Sequence, residues 1–179
     1  MAKWPNVPHC YGWLALNRRG RWLLDGRPLD HPNLIAFINR NYGRDGAGNW
    51  FFQNGPQRVY VALEYTPWVF RLTADGELES HTGIAVPALD AAWLDDVGNL
   101  LLSWQHGAAL LDDRDLPTMF DAIRDASGAI PGEPTLAGFI DGKPIKLALH
   151  WRTQKLTLGF LRSADVPSQL GYIRVPAGT

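Results

Sequence analysis

The chain has 179 residues, 46% hydrophobic and 20% charged, which supplies one compact core and excludes wholesale disorder. Lys+Arg 17 against Asp+Glu 18 gives a net charge of -1, so the whole chain does not advertise nucleic acid or an anionic membrane surface. A single cysteine excludes an intrachain disulfide framework.

The opening stretch, MAKWPNVPHC, lacks the uninterrupted apolar core of a secretory signal, and Pro5 and Pro8 break it. No window reaches the roughly 20 apolar residues of a membrane helix, so the expected compartment is the cytoplasm. Residues 1–11 are expected to form an N-terminal arm. Cys10 beside His9 invites a nucleophile reading, because imidazole lowers a thiol pKa. Adjacent residues seldom aim at each other, and the favoured reading is a packed or idle thiol.

Short apolar runs separated by glycine turns follow. Trp13–Leu16 and Trp22–Leu24 flank Asn17-Arg18-Arg19-Gly20 as a hairpin. Arg18, Arg19 and Arg21 make this a basic turn, read as a solvated hairpin tip with phosphate contact as the rival. Trp50–Phe52 and Arg58–Leu63 flank Asn54-Gly55, the strongest short hairpin signal. Trp68–Leu72 pairs with Glu77–Ser80, and Ala92–Leu94 with Asn99–Leu102. Phe139-Ile140 and Ile145–Leu149 flank Asp141-Gly142, and Lys155–Phe160 and Tyr172–Val175 also read as strands.

Two segments read as helices. The first runs from Pro32 to about Tyr42, with Leu34, Ile35, Ile38 and Tyr42 at helical spacing, Asp30 ahead of it and Gly43 able to stop it. The second runs from Leu116 to about Ala126, with Asp115 as N-cap, an apolar face of Leu116, Met119, Phe120 and Ile123, and Gly128 at its end.

An offset of 87 residues relates Leu23–Leu29 to Leu110–Leu116, and Asn54-Gly55 to Asp141-Gly142. The expected fold class is therefore α+β, mostly antiparallel with two short helices, built from two copies of a hairpin-helix-strands repeat. Residues 12–90 and 91–179 would be the two repeats of one compact unit.

The runs GRWLLDGRPLDHPNLIAFI and NWFFQNGPQRVYVALEYTPWVF carry Gly26-Arg27-Pro28, Gly55-Pro56, Glu64, Pro67 and Trp68. In these turns the chain resembles an uncharacterised bacterial domain family of unknown function, well over residues 20 to 72 and loosely elsewhere. The resemblance implies an α+β fold with a repeated motif and a role in signal transduction. It implies no catalytic residue.

Motifs for chemistry are missing. There is no phosphate-cradling G-x-x-x-x-G-K-[ST], no G-x-S-x-G, no H-E-x-x-H and no paired cysteines. No cofactor and no metal are expected. The best polar cluster is His81-Thr82-Gly83 with Gln105-His106-Gly107, near Asp95, Asp96, Asp112, Asp113 and Asp115. A His with an Asp makes a general base, but aspartates also occupy turns by binding backbone N–H groups. Tryptophan is abundant, with 8 in the chain. The core accounts for most of them, and Trp68 and Trp104 are the candidates to line a cleft.

The candidate ligand-binding residues are thus Trp68, Trp104, His81 and His106, with no catalytic residue assigned. The leading reading is a non-enzymatic binding module for a small molecule or protein partner, regulatory in role, with no nucleic acid and no membrane among its partners. The rivals are a hydrolase using His81 or His106 with a central aspartate, and a homo-oligomeric assembly protein.

Overall fold

Val59, Val61 and Leu63 alternate along β6 (Gln57–Leu63), point to one face, and are all buried there. Phe52 of β5 (Trp50–Asn54) pairs with Val59, and Leu14 and Leu16 of β1 (His9–Leu16) pair with Val61 and Leu63. The same face therefore continues across three strands. Helix α1 (Pro32–Arg40) covers it: Ile38 is buried, and the Phe37 ring meets Phe52 edge-on at 5.3 Å. Trp22 of β2 (Trp22–Leu24) donates from Nε1 to Asn39 on the helix at 2.8 Å. With β3 (Arg27–Pro28) and β4 (Tyr42–Arg44) this makes a six-stranded sheet, β3-β2-β1-β6-β5-β4. The computed structural model describes residues 7–178.

The chain divides into two compact units. Unit 1 is Met1–Pro67 with Gly171–Thr179, and unit 2 is Trp68–Leu170. Unit 2 holds β7 (Trp68–Leu72), β8 (Leu78–Ser80), β9 (Ala91–Asp95), β10 (Leu100–Trp104), β11 (Gly107–Leu111), β12 (Ile123–Asp125), β13 (Leu147–Trp151) and β14 (Gln154–Leu161). They form one sheet in the order β12-β13-β14-β9-β10-β11-β7-β8. Leu100, Leu101 and Leu102 are all buried, so central strand β10 is covered on both faces. Helices α2 (Leu116–Phe120), α3 (Glu133–Ile140) and α4 (Val166–Gln169) belong to this unit.

The aspartate-glycine turns have a single construction. Asp95 donates its N–H to Asn99 O, Gly98 donates to Asp95 O, and Asp95 Oδ1 accepts from Val97 and Asn99 N–H at 3.0 and 2.8 Å. Gly98 sits at φ 84°, which a residue with a Cβ resists. Asp45 and Asp125 bind the same two positions of their own turns, Ala47 with Asn49 and Ser127 with Ala129. The carboxylates replace backbone partners the turn cannot supply.

The expected fold class needs correction. Both sheets are mixed: β1 with β6, β7 with β11 and β9 with β14 run parallel. Four α-helices, not two, appear among the described residues. The second expected helix stops at Phe120, and Ile123–Asp125 is a strand paired with β13. Phe139-Ile140, expected as strand, ends α3. The offset of 87 does not join equivalent elements, since Leu23-Leu24 is in β2 but Leu110-Leu111 is in β11. What the two sheets do share is a strand path outward from a parallel pair: β1-β2-β3 and β6-β5-β4 in one, β9-β10-β11 and β14-β13-β12 in the other. Residues 1–6 of the expected arm lie outside the described residues, and residues 9 onward are strand β1.

Gly159 of β14 is opposite Trp93 of β9, and a Cβ on it would overlap the indole Cδ1 and Nε1. Gly159→Ala is therefore expected to destabilise the chain by about 1–3 kcal/mol. An unchanged melting temperature would show that the ring moves aside freely.

Candidate functional site

The four residues singled out above come together at one end of the unit 2 sheet. Trp68 opens β7, His81 follows β8, Trp104 closes β10, and His106 lies in the tight turn to β11. The parallel register of β7 and β11 brings the turn alongside Trp68 by pairing Trp68 with Ala109. Trp68 and Trp104 meet edge-on at 5.3 Å, Trp104 and His106 edge-on at 4.6 Å, and His81 lies 5.5 Å from Trp68. Phe70 closes the group against Trp104 at 5.3 Å.

Burial separates their roles. Trp68 is 5% exposed and Trp104 2% exposed, so both are core side chains, whereas His106 is exposed. Trp68 Nε1 donates to the His106 carbonyl at 3.0 Å and pins the turn. Trp104 Nε1 is buried and has no hydrogen-bond partner. An indole N–H left in that state carries a desolvation penalty.

His81 is bound to the backbone of β7 twice. Its N–H donates to Val69 O at 2.7 Å, and its Nδ1 accepts from Val69 N–H at 3.3 Å. An accepting Nδ1 places the ring proton on Nε2 and makes the imidazole neutral. Burial first, and the Arg71 charge second, push its pKa down to about 3. The residue as a whole is half-buried, but Nε2 is fully covered, and the covered atom is where the charge would sit. A general base works best with a pKa near the operating pH, and this imidazole is far below it.

The aspartates offered as partners are engaged elsewhere. Asp95 holds its turn, and Asp96 accepts from Ser163 N–H at 2.7 Å. Asp115 accepts from Leu72 N–H at 2.8 Å. Asp112 receives both Nε and Nη2 of Arg114, at 2.8 and 2.6 Å, and these bonds hold its carboxyl down at about 2. Asp113 lies in the short 3-10 turn before α2. Among the described residues no group of three or more His, Cys, Asp and Glu is placed to hold a metal ion. No helix described is long and apolar enough to cross a membrane.

Cys10 is buried on β1, and burial pushes its thiol pKa up, the opposite of an activated nucleophile. Among the tryptophans, Trp22, Trp50, Trp68, Trp104 and Trp151 are buried while Trp13 and Trp93 are half-buried. Tyr172–Val175, expected as strand, belongs to a C-terminal segment without strand pairing, in which Ile173 N–H donates to Gly48 O at 3.0 Å.

The family model DUF2944, described as "Protein of unknown function (DUF2946)", matches residues 1–177. The chain belongs to that family. Two solved structures are similar. A DUF1285 family protein from Silicibacter pomeroyi DSS-3 has 13% identity and a TM-score of 0.58 over 84% of this chain and 81% of its own. A DUF1285 family protein from Shewanella baltica OS155 has 15% identity and a TM-score of 0.45 over 59% of this chain and 87% of its own. The first shares the fold alone, and the second carries no argument at that score. No curated protein matches the chain. Membership of a family of unknown function is established at this level, and neither likeness speaks to signalling.

Proposed function

We propose that the chain is a bacterial, cytoplasmic, non-catalytic binding module whose small-molecule ligand docks at the Trp68–Trp104–His106 corner of unit 2. The observation that carries this reading is Trp104 Nε1, a buried donor without a partner beside an exposed imidazole. A ligand acceptor that reaches this N–H removes its desolvation penalty, so binding gains what folding left unmet. Reaching it needs a side-chain shift, and the exposed His106 ring, edge-on to Trp104, is placed to give way. Binding without turnover suits a regulatory role. The hydrolase reading has less support, because His81 is a weak, backbone-bound base and the nearby aspartates hold structure.

The test is a thermal-shift screen of wild type and His106→Ala against metabolites and nucleotides. A ligand at 100 times its dissociation constant adds about 2.7 kcal/mol. The expected result is a compound that stabilises wild type and loses its effect on His106→Ala, while the two proteins melt together without it. Equal stabilisation of both would remove this corner as the site.

A further inference from the structure

The unit 1 sheet has a second face, and it is aromatic. Val59, Val61 and Leu63 of β6 turn towards α1, so Arg58 and Tyr60 turn the other way. Tyr60 is at the centre of a ring cluster. Tyr11 of β1 stacks on it at 4.5 Å with 2° between the planes, His9 of β1 lies at 5.9 Å, and Phe51 of β5 at 6.0 Å. The group thus spreads over β1, β6 and β5, and β1 and β6 are the two central strands of the sheet. Tyr60 is 6% exposed, Tyr11 and Phe51 are half-buried, and His9 is exposed. The backbone of Gly178 lies against the Tyr11 ring, where a Cβ would meet Cε2 at 3.3 Å.

A cation completes the group. The Arg58 guanidinium carbon lies over the Phe51 ring, 4.6 Å from its centroid. Arg58 is half-buried, and among the described residues no hydrogen bond or ion pair engages its guanidinium. Its five N–H donors are left for a partner. The parallel register sets His9 directly beside Arg58. Asp45 is the acidic neighbour of both Arg58 and Tyr11, and its carboxylate is committed to its own turn, accepting from the N–H groups of Ala47 and Asn49 and from the Asn49 amide.

The charge of the chain is also unevenly divided. Unit 1 contains nine Lys+Arg and four Asp+Glu, and unit 2 eight Lys+Arg and fourteen Asp+Glu. The net charge of -1, which speaks against nucleic acid, sums a basic unit and an acidic one.

We propose that this face of unit 1 binds single-stranded nucleic acid, with a base stacking on the exposed His9 ring of the aromatic cluster and Arg58 donating to a neighbouring phosphate. Unpaired bases offer planar faces to aromatic side chains, and the backbone offers an anion to a forked cation. Rings spread over three strands suit a polymer, which gathers affinity from several contacts in a row. A duplex keeps its base faces inside its own stack and does not fit. The face is in a different unit from the Trp104 corner, and either proposal stands if the other fails.

The test is fluorescence anisotropy of a labelled oligothymidylate across a salt series, with wild type, Arg58→Gln, His9→Ala and His9→Phe. Wild type is expected to bind, more weakly as salt rises. Arg58→Gln is expected to bind at least threefold more weakly, with a salt dependence shallower by about one counterion. His9→Ala is expected to lose about tenfold in affinity at an unchanged melting temperature, and His9→Phe to recover most of it, because any aromatic ring can stack. Absence of salt-dependent binding by wild type would overturn the proposal. So would undiminished binding by His9→Ala, or equally tight binding of a duplex or of thymidine monophosphate. A dimer in sedimentation that ignores the oligonucleotide would assign the face to a second copy of the chain and overturn it as well.

Discussion

Acidification from pH 6.5 towards 3 is expected to strip stability from the fold, with His81 as its largest single source. The imidazole is neutral when folded, with a pKa pushed down to about 3 from an ordinary 6.5. Between those values the unfolded chain binds a proton that the folded chain refuses. Stability therefore rises with pH across this window and is lost as pH falls, by about 1.4 kcal/mol per pH unit. Asp45, Asp96, Asp112 and Asp125 have lowered pKa values and act in the same direction, but only below the ordinary carboxylate value of 3.8. The range from pH 4.5 to 6.5 thus isolates His81, with roughly 2–3 kcal/mol at stake. His81→Asn keeps an acceptor for the Val69 N–H and cannot titrate. Denaturant titrations of both proteins should give stability curves that diverge with the stated slope. Parallel curves would show that His81 does not exclude its proton.

Trp104→Ala is the substitution expected to damage the fold most. The indole is 2% exposed and touches Trp68, Phe70 and His106. Emptying such a site costs about 3–5 kcal/mol, because the lost transfer energy adds to an unfilled cavity. Trp104→Phe keeps a ring between Trp68 and Phe70, deletes the unpaired N–H and leaves a smaller cavity, so it should cost clearly less than Trp104→Ala. The ordering of the two variants in a melting experiment is the informative result. Equal damage by both would mean that the indole N–H has a structural partner after all.

The hairpins were legible because their signals are local. Asn17–Gly20, Asn54-Gly55 and Asp95–Gly98 stand beside the strands they join. Parallel pairing leaves no such mark. Nothing near Cys10 announces Val59, and nothing near Trp93 announces Gly159. Short helices were legible only where an apolar face repeats. Leu34, Ile35 and Ile38 announced α1, while in α3 the sequence Thr135-Leu136-Ala137-Gly138-Phe139-Ile140 ends in an apolar pair that resembles a strand. The Trp and His candidates were visible as residue types beside turns, and the β7–β11 register gathers them. The place of the Tyr172–Val175 segment was hidden for the same reason, because the carbonyls that Arg174 binds at Leu63 and Glu64 are far away along the chain.

The most direct test of ligand binding at Trp104 is its own indole N–H resonance, assigned by its disappearance in Trp104→Phe. Trp22 and Trp68 donate to oxygen acceptors and provide internal references for a bonded indole. In the free protein the Trp104 signal should lie upfield of both. A compound that raises the melting temperature of wild type but not of His106→Ala should move it downfield, toward theirs. If the signal stays in place when such a compound binds, or already lies with the bonded indoles in the free protein, the site is not where we place it.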